Sequence, residues 1–251
     1  MKTIVLDEVP GCPPRVRAAF TTRTGGESTG PHASLNLGTA CGDDPGHVRA
    51  NRLALAGAVG FDPDRAATLT QMHGAAVVAV GPLGGGGTFI GSLDGHADAD
   101  GMVTSEPGVA LLVQGADCVP IVGWSADAST VMGVHAGWRG LMAGVVEAGA
   151  AALGTPGGVA IGPCIGPCCY PVDGDLREGM AGRFGDRAVR GESVDLRWAA
   201  RAALVAAGIP PPQIVDVGGC TSCDGDRYFS HRRDAGHTGR QVGLIWIEEE
   251  R

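Results

Sequence analysis

Val109 to Leu153 reads VALLVQGADCVPIVGWSADASTVMGVHAGWRGLMAGVVEAGAAAL. It contains three short apolar runs, Val109 to Val113, Val119 to Trp124 and Thr130 to His135, separated by glycine, aspartate and serine. Runs of this length between turn formers read as strands, and Thr130 to His135 is apolar enough for a buried one. Gly137-Trp-Arg-Gly140 then turns the chain into a predicted helix from about Leu141 to Leu153. His135 is therefore expected at the carboxyl end of a strand, and Cys118 where another begins.

Toward the N-terminus, Val16 to Thr22 reads as a strand, followed by a turn at Gly25 and Gly26 and a loop through Ser34-Leu-Asn-Leu-Gly38. Asp44 before Pro45 is a cap and first-turn pair for a helix carrying Val48, Leu53, Leu55 and Ala56, closing near Gly57 or Gly60. Strands are predicted at Ala67 to Gln71, Ala75 to Val80 and Ala97 to Val103, with Gln71-Met-His-Gly74 between the first two, so that His73 lies at a strand end. The tetraglycine Gly84 to Gly87 reads as a mobile surface loop. Toward the C-terminus, strands are expected at Val159 to Ile161, Ile214 to Val217 and Val242 to Ile247, with helices near Asp173 to Phe184 and Val194 to Ala207. Both element types recur with no linker or repeat between them. The reading is one mixed α/β domain over residues 1–251, with helices packed outside sheets.

Composition narrows the function. With 27 acidic against 19 basic residues and no Lys/Arg run, the chain lacks the electrostatic footprint of a nucleic-acid binder. Ile4 to Leu6 is interrupted by Asp7 and Glu8 and cannot serve as a signal-peptide core, and no later run approaches a membrane span. Eight cysteines without an export signal point to reduced thiols and a cytoplasmic protein, and nothing implies an obligate protein partner. Glycine is abundant (43 residues) and aromatics scarce, but 44% hydrophobic residues mark a folded chain with many tight turns.

Three segments carry residues that a simple core avoids: Gln71-Met-His-Gly74, Ala116-Asp-Cys-Val-Pro120 and His135-Ala-Gly-Trp-Arg-Gly140. Each falls at a predicted strand end, where a sheet fixes position and a loop supplies exposure. His73, His135 and Cys118 together match a three-ligand zinc set with one open position. The same atoms fit a nucleophilic Cys118 with a histidine base. They also fit a buried apolar cysteine beside hydrogen-bonded core histidines. Gly137 and Gly140, the start of the next helix and Arg139 together suggest an anion site. Asp98 and Asp100 are candidates to orient a metal-bound histidine or act as a base, while alternation along the strand points Asp117 away. Cys164, Cys168, Cys169, Cys220 and Cys223 offer material for a structural zinc. The run Gly162 to Tyr170 is so dense in turn residues, however, that buried or substrate-facing loop thiols are the favoured reading.

The segments Thr21-Thr-Arg-Thr-Gly-Gly26, Ser34-Leu-Asn-Leu-Gly38, Gln71-Met-His-Gly74, Ala99-Asp-Gly101, Ala116-Asp-Cys-Val-Pro120, Val134-His-Ala-Gly-Trp-Arg-Gly140, Ile161-Gly-Pro-Cys-Ile-Gly-Pro-Cys-Cys-Tyr170 and Phe229-Ser-His-Arg-Arg-Asp234 span nearly the whole chain. In that order they resemble the YfiH/YlmD/FAMIN-like family, also labelled the laccase-domain or multicopper polyphenol oxidase family. The resemblance implies an α/β/β/α layered, YfiH-like fold and a zinc ion at His73, Cys118 and His135, which would be both ligands and catalytic residues. It also implies action on purine nucleosides with phosphate: phosphorolysis of adenosine, guanosine, inosine and methylthioadenosine to the base and (methylthio)ribose 1-phosphate, and deamination of adenosine to inosine. By physical role phosphate is expected near Arg23, Asn36 and Arg139, with Gln71 and Asp100 completing the substrate-side set. His231 stands where a tyrosine is frequent in the family, and Cys223 is additional.

Three rival readings follow from the same residues. A copper-dependent polyphenol oxidase would use copper in place of zinc, but seven histidines of which few converge suit it poorly. A cysteine amidase or peptidoglycan-editing enzyme would use Cys118 as nucleophile. A non-enzymatic scaffold would seal the zinc with a fourth ligand such as Asp100.

Overall fold

The computed structural model describes residues 3–84, 89–90 and 97–249, so Gly85 to Gly87 of the tetraglycine lie outside the described residues. One sheet has five strands in the order β1 (Leu6–Glu8), β2 (Val16–Thr21), β13 (Gln241–Ile247), β6 (Ala110–Gly115) and β3 (Ala66–Ala67). A second has six in the order β12 (Ile214–Asp216), β9 (Pro156–Ile161), β7 (Val119–Ser125), β8 (Val131–Ala136), β5 (Gly101–Thr104) and β4 (Val77–Ala79). β10 (Val189–Arg190) and β11 (Ser193–Val194) form a separate two-stranded ribbon.

Alternation along the strands builds the layers. Leu111, Val113 and Ile245 point between the sheets, where they meet Phe20, Met102, Val122 and Trp124. Their neighbours Leu112, Leu244 and Trp246 point the other way, onto Leu55 and Ala56 of α1 (Pro45–Val59) and onto Leu35 and Leu37. On the far side of the second sheet, Val119, Ile121, Met132 and Val134 pack with Val145, Val146, Ala150 and Leu153, and with Leu196, Ala199 and Ala203. These strands are apolar on both faces because each face is covered. The outcome is the expected α/β/β/α order, with α1 on one side and α2 (Trp138–Ala143), α3 (Val145–Leu153), α4 (Gly174–Phe184) and α5 (Leu196–Ala206) on the other.

The helix boundaries follow local chemistry. Asp44 accepts hydrogen bonds from the Gly46 and His47 amides, Pro45 opens α1, and Gly60 at φ +92° closes it. The single helix expected from Leu141 to Leu153 is two. Gly144 at φ +92° donates to the Gly140 and Leu141 carbonyls, ending α2, and α3 starts from that same left-handed residue. Three expected strands are also shorter than predicted: β3 stops at Ala67, β4 begins at Val77 and β5 begins at Gly101. Residues 68–76 and 97–100 instead fold a loop around His73, with the Thr70 amide donating to the Ala97 carbonyl and the Asp100 amide to that of Ala76. Among the described residues no helix is long and apolar enough to cross a membrane.

Candidate metal centre

β7 and β8 run antiparallel with Pro120 opposite His135, so the residue just before β7 lies beside the end of β8. That register brings Cys118 to His135. β5 pairs with the other edge of β8, Gly101 opposite Val134, and the residue before it, Asp100, accepts the His135 amide on its carbonyl at 2.7 Å.

The third ligand arrives through the Asp100 side chain. Its carboxylate accepts hydrogen bonds from three successive amides, Met72 (3.1 Å), His73 (2.9 Å) and Gly74 (2.6 Å), and bonds His135 Nδ1 at 2.8 Å. His73 has φ +60°, a left-handed conformation that costs a non-glycine residue about 1 kcal/mol or more and that these three bonds hold in place. One wholly buried carboxylate thus orients two imidazoles from different parts of the chain. Because Asp100 takes Nδ1 of His135, Nε2 is left for the cluster.

The donor atoms of His73, Cys118 and His135 all lie within 4.8 Å of one another, and the two imidazole rings meet edge to face, 4.9 Å between centroids at 83°. Gly137 lines the same space. A Cβ there would stand 2.9 Å from Cys118 Sγ and 3.0 Å from His73 Cδ2, so a side chain would fill the centre. His135 is buried, Cys118 half-buried and His73 exposed, leaving the cluster open on the His73 side.

Charge is organised with the geometry. Burial alone pushes the Cys118 thiol up, but His135 and His73, through charge and hydrogen bonds, bring it down to about 6. Burial disfavours a charged His135, yet Cys118 and Asp100 raise it to about 9. Burial also lifts the Asp100 carboxyl, and hydrogen bonds from His135, Gly74 and His73 more than reverse this, holding it below its ordinary value. Cys118 and His135 therefore form a thiolate–imidazolium pair seated on a carboxylate. A thiolate with two imidazoles is a borderline-soft donor set that suits zinc.

Residues 17–248 match the family model described as multi-copper polyphenol oxidoreductase laccase. The chain belongs to that family. It is similar to the purine nucleoside phosphorylase YlmD of Geobacillus stearothermophilus, with 37% identity over 96% of this chain and 94% of that one. It is 33% identical to the purine nucleoside phosphorylase YfiH of Escherichia coli K12 over 98% of this chain and all (100%) of the other. The crystal structure of YlmD from Geobacillus stearothermophilus superposes with a TM-score of 0.88, covering 95% of each chain.

The substrate-side residues expected from the sequence differ in how far hydrogen bonds within the protein already engage them. Asn36 is fully buried and occupied with Gly38, Cys41, Asp43 and the Arg240 amide, so it organises its own loop. Arg23 donates to the Ala33 and Gly225 carbonyls and stacks on Phe229 at 4.6 Å. Gln71 exchanges both hydrogen bonds of its amide with the Gln114 backbone, at 2.9 and 2.8 Å, which clamps the His73 loop to β6. Asp100 supports ligands from below and has no exposed surface. Asp98 is exposed at a bridge to Thr70. Asp117 accepts from Thr221 Oγ1 (2.6 Å) and the Arg232 amide (2.7 Å); it precedes β7 at φ +97°, so the strand alternation expected of it does not apply.

Arg139 alone of the expected anion-binding residues keeps an exposed guanidinium, stacked on Trp138 at 4.5 Å in the first turn of α2. Sequence reasoning missed its companions, Tyr170 and Arg232. Arg232 stacks on the Tyr170 ring at 4.7 Å and donates to the Pro171 carbonyl. Burial, Cys118 and Asp117 raise the Tyr170 hydroxyl, while Arg232 and Arg139 draw it down. Both residues sat inside quoted family segments, so their presence there was the available signal. His231 is exposed beside them.

The cysteines also depart from expectation. Cys168, Cys169, Cys220 and Cys223 are not scattered loop thiols: their sulfurs converge within 4.8 Å of one another, while Cys164 is buried in the core. Turn-rich sequence around Cys168 hid this, because two tight turns can bring four thiols together as readily as hold them apart.

Proposed function

We propose that the chain is a zinc-dependent, cytoplasmic purine nucleoside phosphorylase that also deaminates adenosine. The observation that carries the reading is the convergence of His73, Cys118 and His135 above Asp100, with bare Gly137 beside them, in a chain whose close relatives carry the phosphorylase name. Zinc held there would supply a Lewis acid and a bound water acidified from about 15.7 to roughly 7.

The chain's own residues set the stage for both reactions. Asp100 locks His135 in the tautomer that turns Nε2 toward the cluster, and Cys118 with a depressed pKa is a ready thiolate ligand at neutral pH. Arg139 and Arg232, both exposed, are the guanidinium pair for an incoming phosphate. Phosphorolysis forms a bond from a phosphate oxygen to the sugar's anomeric carbon, breaks the glycosidic C–N bond and leaves the proton on the departing purine. Deamination adds water at the purine C6 and expels ammonia. Met72, 60% exposed next to His73, and the Tyr170 ring provide apolar surface for a purine. Adenosine, guanosine, inosine and methylthioadenosine are the proposed phosphorolysis substrates.

Incubation with inosine and with adenosine, with and without phosphate, tests both halves. Hypoxanthine and ribose 1-phosphate are expected from inosine only with phosphate, and inosine from adenosine without it. Folded, zinc-loaded protein that forms none of these products refutes the reading. Oxygen consumption with a phenol after copper loading would instead support the family's laccase description, although one mixed His/Cys cluster and one cluster of cysteines are the only groups of three or more candidate ligands among the described residues. The Cys118–His135 pair keeps an amidase reading in view: activity on an amide that survives chelation and is lost in Cys118→Ser would select it.

A further inference from the structure

Cys168, Cys169, Cys220 and Cys223 take no part in the chemistry proposed above. Cys168 and Cys169 follow a turn closed by the Cys169 amide on the Gly166 carbonyl at 3.0 Å. Cys220-Thr-Ser-Cys223 forms a second turn, closed by the Asp224 amide on the Cys220 carbonyl at 3.1 Å. The two turns are held in register by a bridge between Cys164 and Cys220 and by the Thr221 amide on the Cys164 carbonyl at 3.1 Å.

As a result, Cys223 Sγ lies 3.3 Å from Cys168 Sγ and 3.4 Å from Cys169 Sγ, and all four sulfurs fall within 4.8 Å of one another. A tetrahedral zinc with Zn–S bonds of about 2.3 Å requires sulfur–sulfur edges of about 3.8 Å, inside that spread. The Gly166 amide donates to Cys220 Sγ at 3.1 Å, the type of outer hydrogen bond that steadies a thiolate ligand. A disulfide would use two of the four thiols and leave the other two unexplained, and all eight cysteines are free. Cys168 and Cys223 are exposed, so an ion can enter from solvent.

We propose that these four cysteines bind a structural zinc ion, separate from the His73/Cys118/His135 centre and independent of what that centre does. Binding exchanges four S–H protons for four Zn–S bonds, with no change of oxidation state, and fills all four positions of the ion. The ion ties together turns more than 50 residues apart, since Cys168 and Cys223 are separated by 55 positions. Tyr170 directly follows Cys169, and Thr221, between the other two ligands, bonds Asp117 next to Cys118. The second ion therefore positions the wall of the first centre.

Zinc counted by elemental analysis, after zinc addition and removal of excess, should come to two ions per wild-type chain and one in His73→Ala/Cys118→Ser. Cobalt in that double variant should give the intense thiolate charge-transfer and visible bands of a four-sulfur tetrahedral site, and Cys220→Ser/Cys223→Ser should abolish them. If the cysteine variants do not fold, zinc X-ray absorption on the wild type decides: two sites average about 2.5 sulfurs per zinc, whereas the mixed site alone has about one. One zinc per wild-type chain, no zinc in His73→Ala/Cys118→Ser, or a disulfide from Cys223 to Cys168 or Cys169 in protein purified under reducing conditions would overturn the proposal.

Discussion

The two clusters of metal-ligating side chains are built in opposite ways. His135 and Cys118 are set by the register of β7 on β8, and His73 is held by a carboxylate that grips its loop through three amides. The cysteine cluster is built on turns: two of them supply four thiols, and the Gly166 amide donates to Cys220 Sγ. The three donors of the first cluster would leave a tetrahedral ion one position for water or substrate, and the four of the second would leave none. The number of donors and the rigidity of their support thus distinguish the centre proposed for chemistry from the one proposed for cohesion.

Removing the thiolate tests that division most severely. Cys118→Ala is expected to lose the zinc of the first cluster only and to cut nucleoside turnover about a thousandfold or more, read by metal content and steady-state kinetics together. Loss of both ions would dissolve the distinction. Gly137→Ala comes next. Its Cβ would press on Cys118 Sγ at 2.9 Å and His73 Cδ2 at 3.0 Å, and a displacement of this order should lower kcat/KM about 100-fold while thermal stability stays close to that of the wild type.

Asp100→Asn probes the carboxylate beneath the first cluster. The amide cannot accept all four hydrogen bonds as an anion does, so zinc affinity at the first cluster should fall about 10- to 100-fold, measured by competition with a chromophoric chelator. Unchanged affinity would show that strand register alone sets the ligands. Acidification sharpens the contrast least disruptively. In the metal-free first cluster Cys118 is ionised above about 6 and His135 keeps its proton up to about 9, so zinc uptake at pH 7 should displace about one proton there. The four thiols should release about three to four, so their affinity falls more steeply as pH drops. Titration calorimetry in buffers of different ionisation enthalpy, on variants retaining one cluster each, measures both numbers.

Much of the first cluster was legible before any fold was known. His73, Cys118 and His135 occupy chain positions that polar or reactive side chains take at the expense of packing, next to glycines and at the ends of apolar runs. Asp100 was legible as an orienting group, and its full burial was not, because that depends on the His73 loop wrapping it. Asn36 and Arg23, expected beside phosphate, show hydrogen bonds to their own loops that the sequence could not reveal, because a polar residue in a glycine-rich loop can serve a ligand or the backbone around it. Gly144 divided a helix whose apolar spacing ran straight through it, since periodicity records side chains and a left-handed backbone position leaves no trace in it.

By itself the sequence determined most element types, the burial of β8, and a mixed α/β body, because apolar runs, turn formers and capping act between residues a few positions apart. It also singled out the three donors of the first cluster. Only the tertiary structure decided that Asp100 serves two histidines at once, that Arg232 stacks on Tyr170, and that four cysteines on two turns converge. Those outcomes depend on how distant loops close on one another. Their spacing is set by the packing of both sheets, so it cannot be read from any single stretch of chain.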